Sequence, residues 1–317
     1  LLGVLLAAPA SGGERLLYLE AQAVGGYDSL TDKEIFYSIS QQEVMQKPSV
    51  GFDGIQKIET SQGDLGTLAL QGRLALNAAG TRTLEPQLYN AYFKLKTPVS
   101  DLWLGHDRPA LGLSSYLDSH GLLLQPLDME GFGFDRDWGL GAAKDLSWGD
   151  VKASLTTGSG MSLHFDGNWL ASARAGFGVL NSDNHTVGLS VAHGKVLDVI
   201  GYHVLPDGLQ DFTLGGADAT LLWDNWEGRF EVLGGERLGQ PSYGMLWRIG
   251  LNLGEENRLK LEVQPELLRT GTDISNKFAA GLTYLVTGDL TWRAMYQYDN
   301  ATDDHRVLTQ LYYYLKM

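Results

Sequence analysis

The chain has no cysteine, only nine prolines in 317 residues, and fewer basic than acidic side chains. Without cysteine there are no disulfides, no thiolate metal centres and no covalent haem attachment through Cys-x-x-Cys-His. Lys and Arg total 24 against 38 Asp and Glu, a formal net charge of -14. That balance opposes nucleic-acid binding, because a phosphate backbone requires a basic face. Beyond the amino-terminal residues there is no run of about 18 apolar side chains, which excludes a helical membrane span. Catalytic signatures are missing too. The histidines are His106, His120, His164, His185, His193, His203 and His305, and none sits in a His-Glu-x-x-His motif. There is no Gly-x-Ser-x-Gly elbow and no phosphate-cradling glycine loop followed by Lys and Ser or Thr. Gly139-Leu-Gly141 precedes no helical pattern. Neither an enzyme nor a cofactor is expected, and no metal site.

Glycine is abundant, at 40 residues, aromatics make up 10%, and mean hydropathy is -0.13. The dominant pattern is alternation. In Met245–Leu253, Met245, Trp247, Ile249, Leu251 and Leu253 share one face, while Arg248, Gly250 and Asn252 share the other. After the turn Gly254–Asn257, Leu259, Leu261 and Val263 oppose Lys260, Glu262 and Gln264. Successive side chains of a strand point to opposite faces, so each such strand has one oily and one polar side. The same pattern recurs from Leu16 to Met317.

The connections alternate in length. Short ones fall at 62–64, 97–101, 147–150, 181–184, 224–228, 254–257 and 287–289, rich in Gly, Asn and Asp suited to tight turns. Longer ones fall at 28–51, 78–83, 108–131, 160–167, 195–211, 236–243, 270–276 and 299–305. Seven short and eight long connections join sixteen strands, provided that strand-like Glu34–Val44 belongs to the first long loop. The expected fold is all-β: a closed antiparallel transmembrane β-barrel of about sixteen strands, with short periplasmic turns and long extracellular loops. Closure follows because hydrocarbon cannot satisfy an open sheet edge. Trp148 and Trp226 in short turns, with Tyr284, Trp292 and Tyr313 pointing outward nearby, suit a lipid boundary, as do Tyr298 and Trp169 at the opposite rim. Residues 1–10 read as the remnant of a secretory signal with Ala8-Pro9-Ala10 as its cleavage site, leaving 11–317 as one barrel domain.

This architecture resembles the sixteen-stranded porins of Gram-negative outer membranes, over nearly all of Leu16–Met317. Gln87–Lys96 followed by Leu102–His106 also resembles phosphate-selective-type porins in pattern. The resemblance implies that the third long loop, Arg108–Gly131, folds inward and narrows the channel. It also implies outer-membrane lipid around the barrel, small hydrophilic solutes inside it, and a homotrimer. The family tends to end on an aromatic residue, whereas this sequence ends on Met317.

By the alternation, the inner face carries Arg73, Lys94, Lys96, Lys152, Arg174, Arg229, Arg248, Lys260, Arg293, Arg306 and Lys316. Of these, Arg73, Lys94, Arg174, Arg229, Arg248, Lys260 and Arg293 are the candidate pore-lining cations. Rings of Arg or Lys favour anions. Asp107, Asp118, Asp128 and Glu130 are the candidate acidic residues of the constriction loop and would set a transverse field against the basic wall. Pairing with Glu20, Asp218, Glu231, Glu262 and Glu266 across the wall is the alternative role for the arginines. Inward Tyr18, Tyr92, Tyr312 and Tyr314, with Tyr116, Phe132 and Phe134 near the loop, raise a sugar track as a further expectation. The expected function is therefore passive diffusion of small polar or anionic solutes. Its rival is a scaffold barrel enclosing a partner protein such as a multihaem cytochrome of an electron conduit.

Overall fold

Strands with one apolar and one polar face can bury neither face alone, and they resolve the conflict by closing on themselves. The computed structural model describes residues 14–38, 46–61, 63–77, 83–180, 182–200 and 202–317. The expected signal segment 1–10 lies outside them, as do residues 39–44 of the Glu34–Val44 stretch and most of the 78–83 connection.

The described residues form β1 (Arg15–Asp28), β2 (Lys33–Ile35), β3 (Ser49–Thr60), β4 (Gly63–Asn77), β5 (Thr83–Lys96) and β6 (Asp101–Asp107). After the loop come β7 (Asp137–Leu146), β8 (Gly149–Thr156), β9 (Trp169–Phe177), β10 (His185–Ile200), β11 (His203–Trp223) and β12 (Trp226–Arg237). The last five are β13 (Gln240–Leu253), β14 (Leu259–Thr270), β15 (Asp273–Leu285), β16 (Leu290–Asp299) and β17 (Asp304–Lys316). All pairings are antiparallel, and β1 closes the ring by pairing with both β3 and β17, from Tyr18 opposite Lys316 to Asp28 opposite Arg306. The three-residue β2 folds back on Gly26–Asp28 inside the first loop, so sixteen strands make the cylinder.

Side chains divide between faces as the period dictates. In β9 the outward Trp169, Ala173, Ala175 and Phe177 are exposed, whereas Leu170, Ser172, Arg174 and Gly176 are buried. In β13 Met245 and Trp247 are exposed while Leu246 and Arg248 are buried. Val187, Leu189 and Val191 stand more than half exposed on the outer face of β10. An apolar exterior this extensive is tolerated only against lipid or a partner. Trp148, Trp223 and Trp226 are exposed at the short-turn end, with Tyr284, Trp292 and Tyr313 within a few residues of it.

The connections differ from expectation in the second half of the chain. Segments 195–211, 236–243 and 270–276 are mostly strand rather than long loop, and 299–305 is a turn between two strand ends. The ladder runs through Arg237 opposite Gln240, Thr270 opposite Asp273 and Asp299 opposite Asp304. Their Gly and Asp residues mark tight reversals. Leu238 and Gly239 both take positive φ, 54° and 69°, so two residues suffice to turn the chain. The β10–β11 hairpin continues past Lys195 opposite Asp211, through a register shift near Leu197, to Val199 opposite Val204.

Candidate pore and its inner loop

The connection Arg108–Arg136 runs along the inner face of the cylinder. Small inward side chains hold its first arm. The Ala110 amide donates to both Ser154 Oγ and Ser172 Oγ at 3.0 Å, and the Gly112 amide to Ser190 Oγ at 3.0 Å. The Leu113 amide donates to Glu231 Oε1 at 2.7 Å. Tyr116 Oη donates to Asp218 Oδ1 at 2.9 Å, and Lys152 Nζ donates to the Ser115 carbonyl at 3.0 Å. Further on, His120 Nε2 meets Glu20 Oε2 at 2.7 Å, Gln264 Nε2 donates to the Gln125 carbonyl at 2.9 Å, and Lys277 Nζ meets Glu130 Oε2 at 2.6 Å. The loop thus touches β8 to β12 on one side and β14, β15 and β1 on the other.

Gly112 shows why this path needs this sequence. Its φ of 53° lies where side chains are rarely accommodated, and a Cβ there would overlap Glu231 Oε1 at 1.8 Å.

Between loop and wall lies an apolar layer that the alternation does not reveal. Leu111, Leu113, Leu127 and Phe132 of the loop pack on inward Leu170, Phe212, Leu214, Leu233, Leu246 and Leu268. Leu123 and Leu124 pack on Ala279, Met295 and Leu308 opposite. Fully burying each such leucine is worth roughly 1.5–3 kcal/mol, which makes the loop a fixed element of the fold. Inward positions are therefore oily beneath the loop and polar toward the short-turn end.

The seven candidate cations divide by burial. Arg73, Arg174 and Arg248 are each at most 5% exposed. Arg73 Nε donates to Gln87 Oε1 at 2.7 Å, and Arg248 Nε to Gln264 Oε1 at 2.6 Å. Arg174 joins Asp150 at 3.0 Å and Asp218 at 2.8 Å. Lys94, Arg229, Lys260 and Arg293 are partly exposed. Lys94 lies 3.7 Å from Asp101, Lys260 lies 2.9 Å from both Glu227 and Glu262, Arg229 pairs with Glu227, and Arg293 donates to Gln310 at 3.0 Å.

The four loop acids have distinct surroundings. Asp107 ends β6 opposite Asp137. Asp118 faces Arg108 at 2.7 Å and Arg136 at 3.3 Å, with its side chain 58% exposed. Desolvation opposes its ionisation, but the two guanidiniums outweigh it and hold the carboxyl well below the usual range. Glu130 is taken by Lys277. Asp128 is buried, and desolvation first, then Asp135 and Glu231, push it well above that range.

Tyr89 is a site residue that the period-2 reading misses. The ladder from β4 shifts between Gln71 opposite Asn90 and Gly72 opposite Leu88, so Tyr89 is an extra residue in β5. It is fully buried, with Arg73 4.8 Å and Arg136 5.4 Å from its ring centre and His120 packed edge-on at 4.3 Å. Tyr202 Oη accepts the Leu88 amide and donates to the Leu88 carbonyl at 2.9 Å, satisfying backbone groups that the bulge disturbs. The expected sugar track has other geometry. Tyr18 and Tyr314 stack on one another at 4.6 Å, Tyr312 stacks on Tyr314 at 6.1 Å, and Phe132 is buried in the apolar layer.

No family model and no curated protein matches this sequence. Solved structures do match by shape. OmpF of Salmonella typhi, solved with daunomycin, superposes with a TM-score of 0.66 at 12% identity, covering 96% of this chain and 98% of its own. The anion-selective porin of Comamonas acidovorans gives 0.65 at 9% identity, over 96% and 100%. The trimer form of OmpT of Vibrio cholerae gives 0.61 at 11% identity, over 96% and 99%. At these identities the likeness is one of fold. The fold is the closed sixteen-stranded barrel of the Gram-negative outer-membrane porins.

Proposed function

We propose that this chain is an outer-membrane porin, a passive channel for small polar solutes with a weak preference for anions, constricted by Arg108–Gly131. The observation that carries this reading is the division of the inner wall. An apolar layer anchors the loop, and toward the short-turn end Lys94, Arg229, Lys260 and Arg293 stay partly exposed. A charged inner lining of this kind suits a water-filled path.

Selectivity follows from which charges remain uncompensated. Asp118 and Glu130 are neutralised by Arg108, Arg136 and Lys277, while the short-turn half keeps more cations than Asp101, Glu227 and Glu262 can balance. The field favours anions, but only weakly, because each cation has a partner nearby. The trimeric relative and the apolar exterior support a homotrimer in outer-membrane lipid. The scaffold reading loses ground because the chain's own loop occupies the space that a partner would need.

Planar-bilayer recording of the purified protein tests the proposal. Discrete open-channel steps with a reversal potential displaced toward anions are expected in a salt gradient. A barrel that stays sealed at all voltages would reject it.

A further inference from the structure

Between the returning arm of the loop and the tall β10–β11 hairpin, a recess of about 150 Å³ separates two apolar clusters. One cluster contributes Val196, Phe212 and Phe134 to its wall, the other Tyr89, Met129 and Met161. An apolar cavity of about 150 Å³ takes a molecule the size of benzene. The charged groups at its edge compensate one another. Arg136 is engaged by Asp135, by Asp118 and by the Asn90 amide oxygen. Arg237 shares the rim with Asp198, which offsets its charge. Its guanidinium lies over the Phe132 ring at 4.9 Å and donates through Nη1 to the Glu130 carbonyl. Asp128 adds no charge, because burial and the neighbouring Asp135 and Glu231 keep its carboxyl neutral. One donor is left over. The Arg237 Nε–H is buried and has no hydrogen-bond partner among the described residues.

An occupant of this recess must be uncharged, since a charge would lose its hydration with no unpaired opposite charge to replace it. The thioethers of Met129 and Met161 favour an aromatic ring over an alkyl chain, because sulfur is attracted to ring edges. Tyr89, Phe134 and Phe212 add rings for offset or edge-on packing. The unsatisfied Nε–H calls for an oxygen, because a buried donor without an acceptor costs free energy. We infer that this recess binds one uncharged aromatic ring bearing a carbonyl oxygen, with the ring between Met129, Met161 and Phe134 and the oxygen on Arg237 Nε. Displacing loosely held water from the apolar walls drives the binding. The hydrogen bond to Arg237 fixes orientation and selects the oxygenated ring over the bare hydrocarbon. This site is separate from the diffusion path proposed above and does not require conduction.

Titration calorimetry on the folded full chain in amphipol tests it, with acetophenone as probe, amphipol alone as blank, and ethylbenzene, benzoate and benzylammonium as controls. Acetophenone should bind one site per chain. Ethylbenzene keeps the ring but lacks the acceptor, and should bind about tenfold more weakly, the loss expected when the guanidinium donor stays unpaired. Benzoate and benzylammonium should each bind at least about tenfold more weakly than acetophenone. Arg237→Met keeps an apolar stem and removes the donor, so it should bring acetophenone down to the level of ethylbenzene. Met161→Trp fills the recess from the neighbouring loop and should abolish binding of both. Folding of each variant is verified by heat-dependent gel mobility. If Arg237→Met does not fold, Met161→Trp and the ethylbenzene comparison decide. Absence of saturable binding by the unmodified chain, equal binding of ethylbenzene, tighter binding of either charged control, or acetophenone affinity unchanged by the folded variants would each overturn the site. A channel that fails to conduct leaves these results untouched.

Discussion

Arg174 on β9 reaches across the intervening strand β10 to Asp218 on β11, placing two parallel hydrogen bonds of 2.9 and 2.8 Å on one carboxylate. It can do so because Gly188, which pairs with Asp218, has no side chain: a Cβ there would come within 2.3 Å of the guanidinium. The other side of the guanidinium meets Asp150 on β8 at 3.0 Å, and its centre lies 4.9 Å from the ring of Tyr116. One arginine therefore braces three strands of the wall and carries the loop tyrosine on top.

Removing that arginine should be expensive. Arg174→Ala leaves two buried carboxylates without their shared cation, and breaking such a pair costs about 3–5 kcal/mol. The urea midpoint for loss of the compact, fast-migrating barrel should fall markedly. Restoring neutrality in Arg174→Met with Asp150→Asn and Asp218→Asn should recover much of the loss. An Arg174→Ala midpoint equal to that of the parent would show that the triad contributes nothing net.

Gly112 gives a second, local test of the loop. Gly112→Ala must adopt positive φ and displace Glu231, a strain of about 1–3 kcal/mol concentrated at the loop's anchor. The expected outcome is a barrel that still folds but whose 108–117 arm is cut faster by protease. Channel conductance should rise in parallel. Cleavage and conductance both unchanged would mean that the arm tolerates a side chain there.

Much of the cylinder was legible in the sequence, because period-2 alternation and Gly, Asn and Asp at the reversals are local signals. The ring, its sixteen strands and the inward cations follow from them. What stayed hidden is non-local. Leu170, Leu214, Leu233 and Leu246 occupy inner positions where water was expected, since only the path of the loop decides which inner positions stay dry. Tyr89 was invisible because one extra residue in β5 reverses the face on which it falls. The partners of Arg174 lie on strands 24 and 44 residues away, so its bracing role required the register of three strands.

The loop should also respond to acid. Asp118 is held well below the usual carboxylate range in the folded chain, against about 3.9 when unfolded. A lowered folded value contributes stability that is full above the unfolded value and lost as pH falls through it toward the folded one. Asp118→Asn should therefore be less stable than the parent at pH 7, and the gap in urea midpoint should narrow as pH falls below about 4. The effect should be modest because the carboxylate is more than half exposed and screened by water. A gap that persists unchanged in acid would place the contribution of Asp118 elsewhere than in its charge.

Charge reversal on the short-turn half separates lining from bracing. Arg229 and Lys260 are partly exposed near Glu227, whereas Arg73 and Arg248 are buried by hydrogen-bonded neighbours beneath the loop. Arg229→Glu together with Lys260→Glu should move the reversal potential toward cations without preventing folding. The displacement should be largest in about 0.1 M salt, where screening extends about 10 Å, and should shrink in 1 M salt, where it extends about 3 Å. Arg248→Glu should instead impair folding, because it places an acid in a dry site that already contains Glu266 and Gln264. If Arg229→Glu with Lys260→Glu leaves the reversal potential where it was, ions do not pass along this wall.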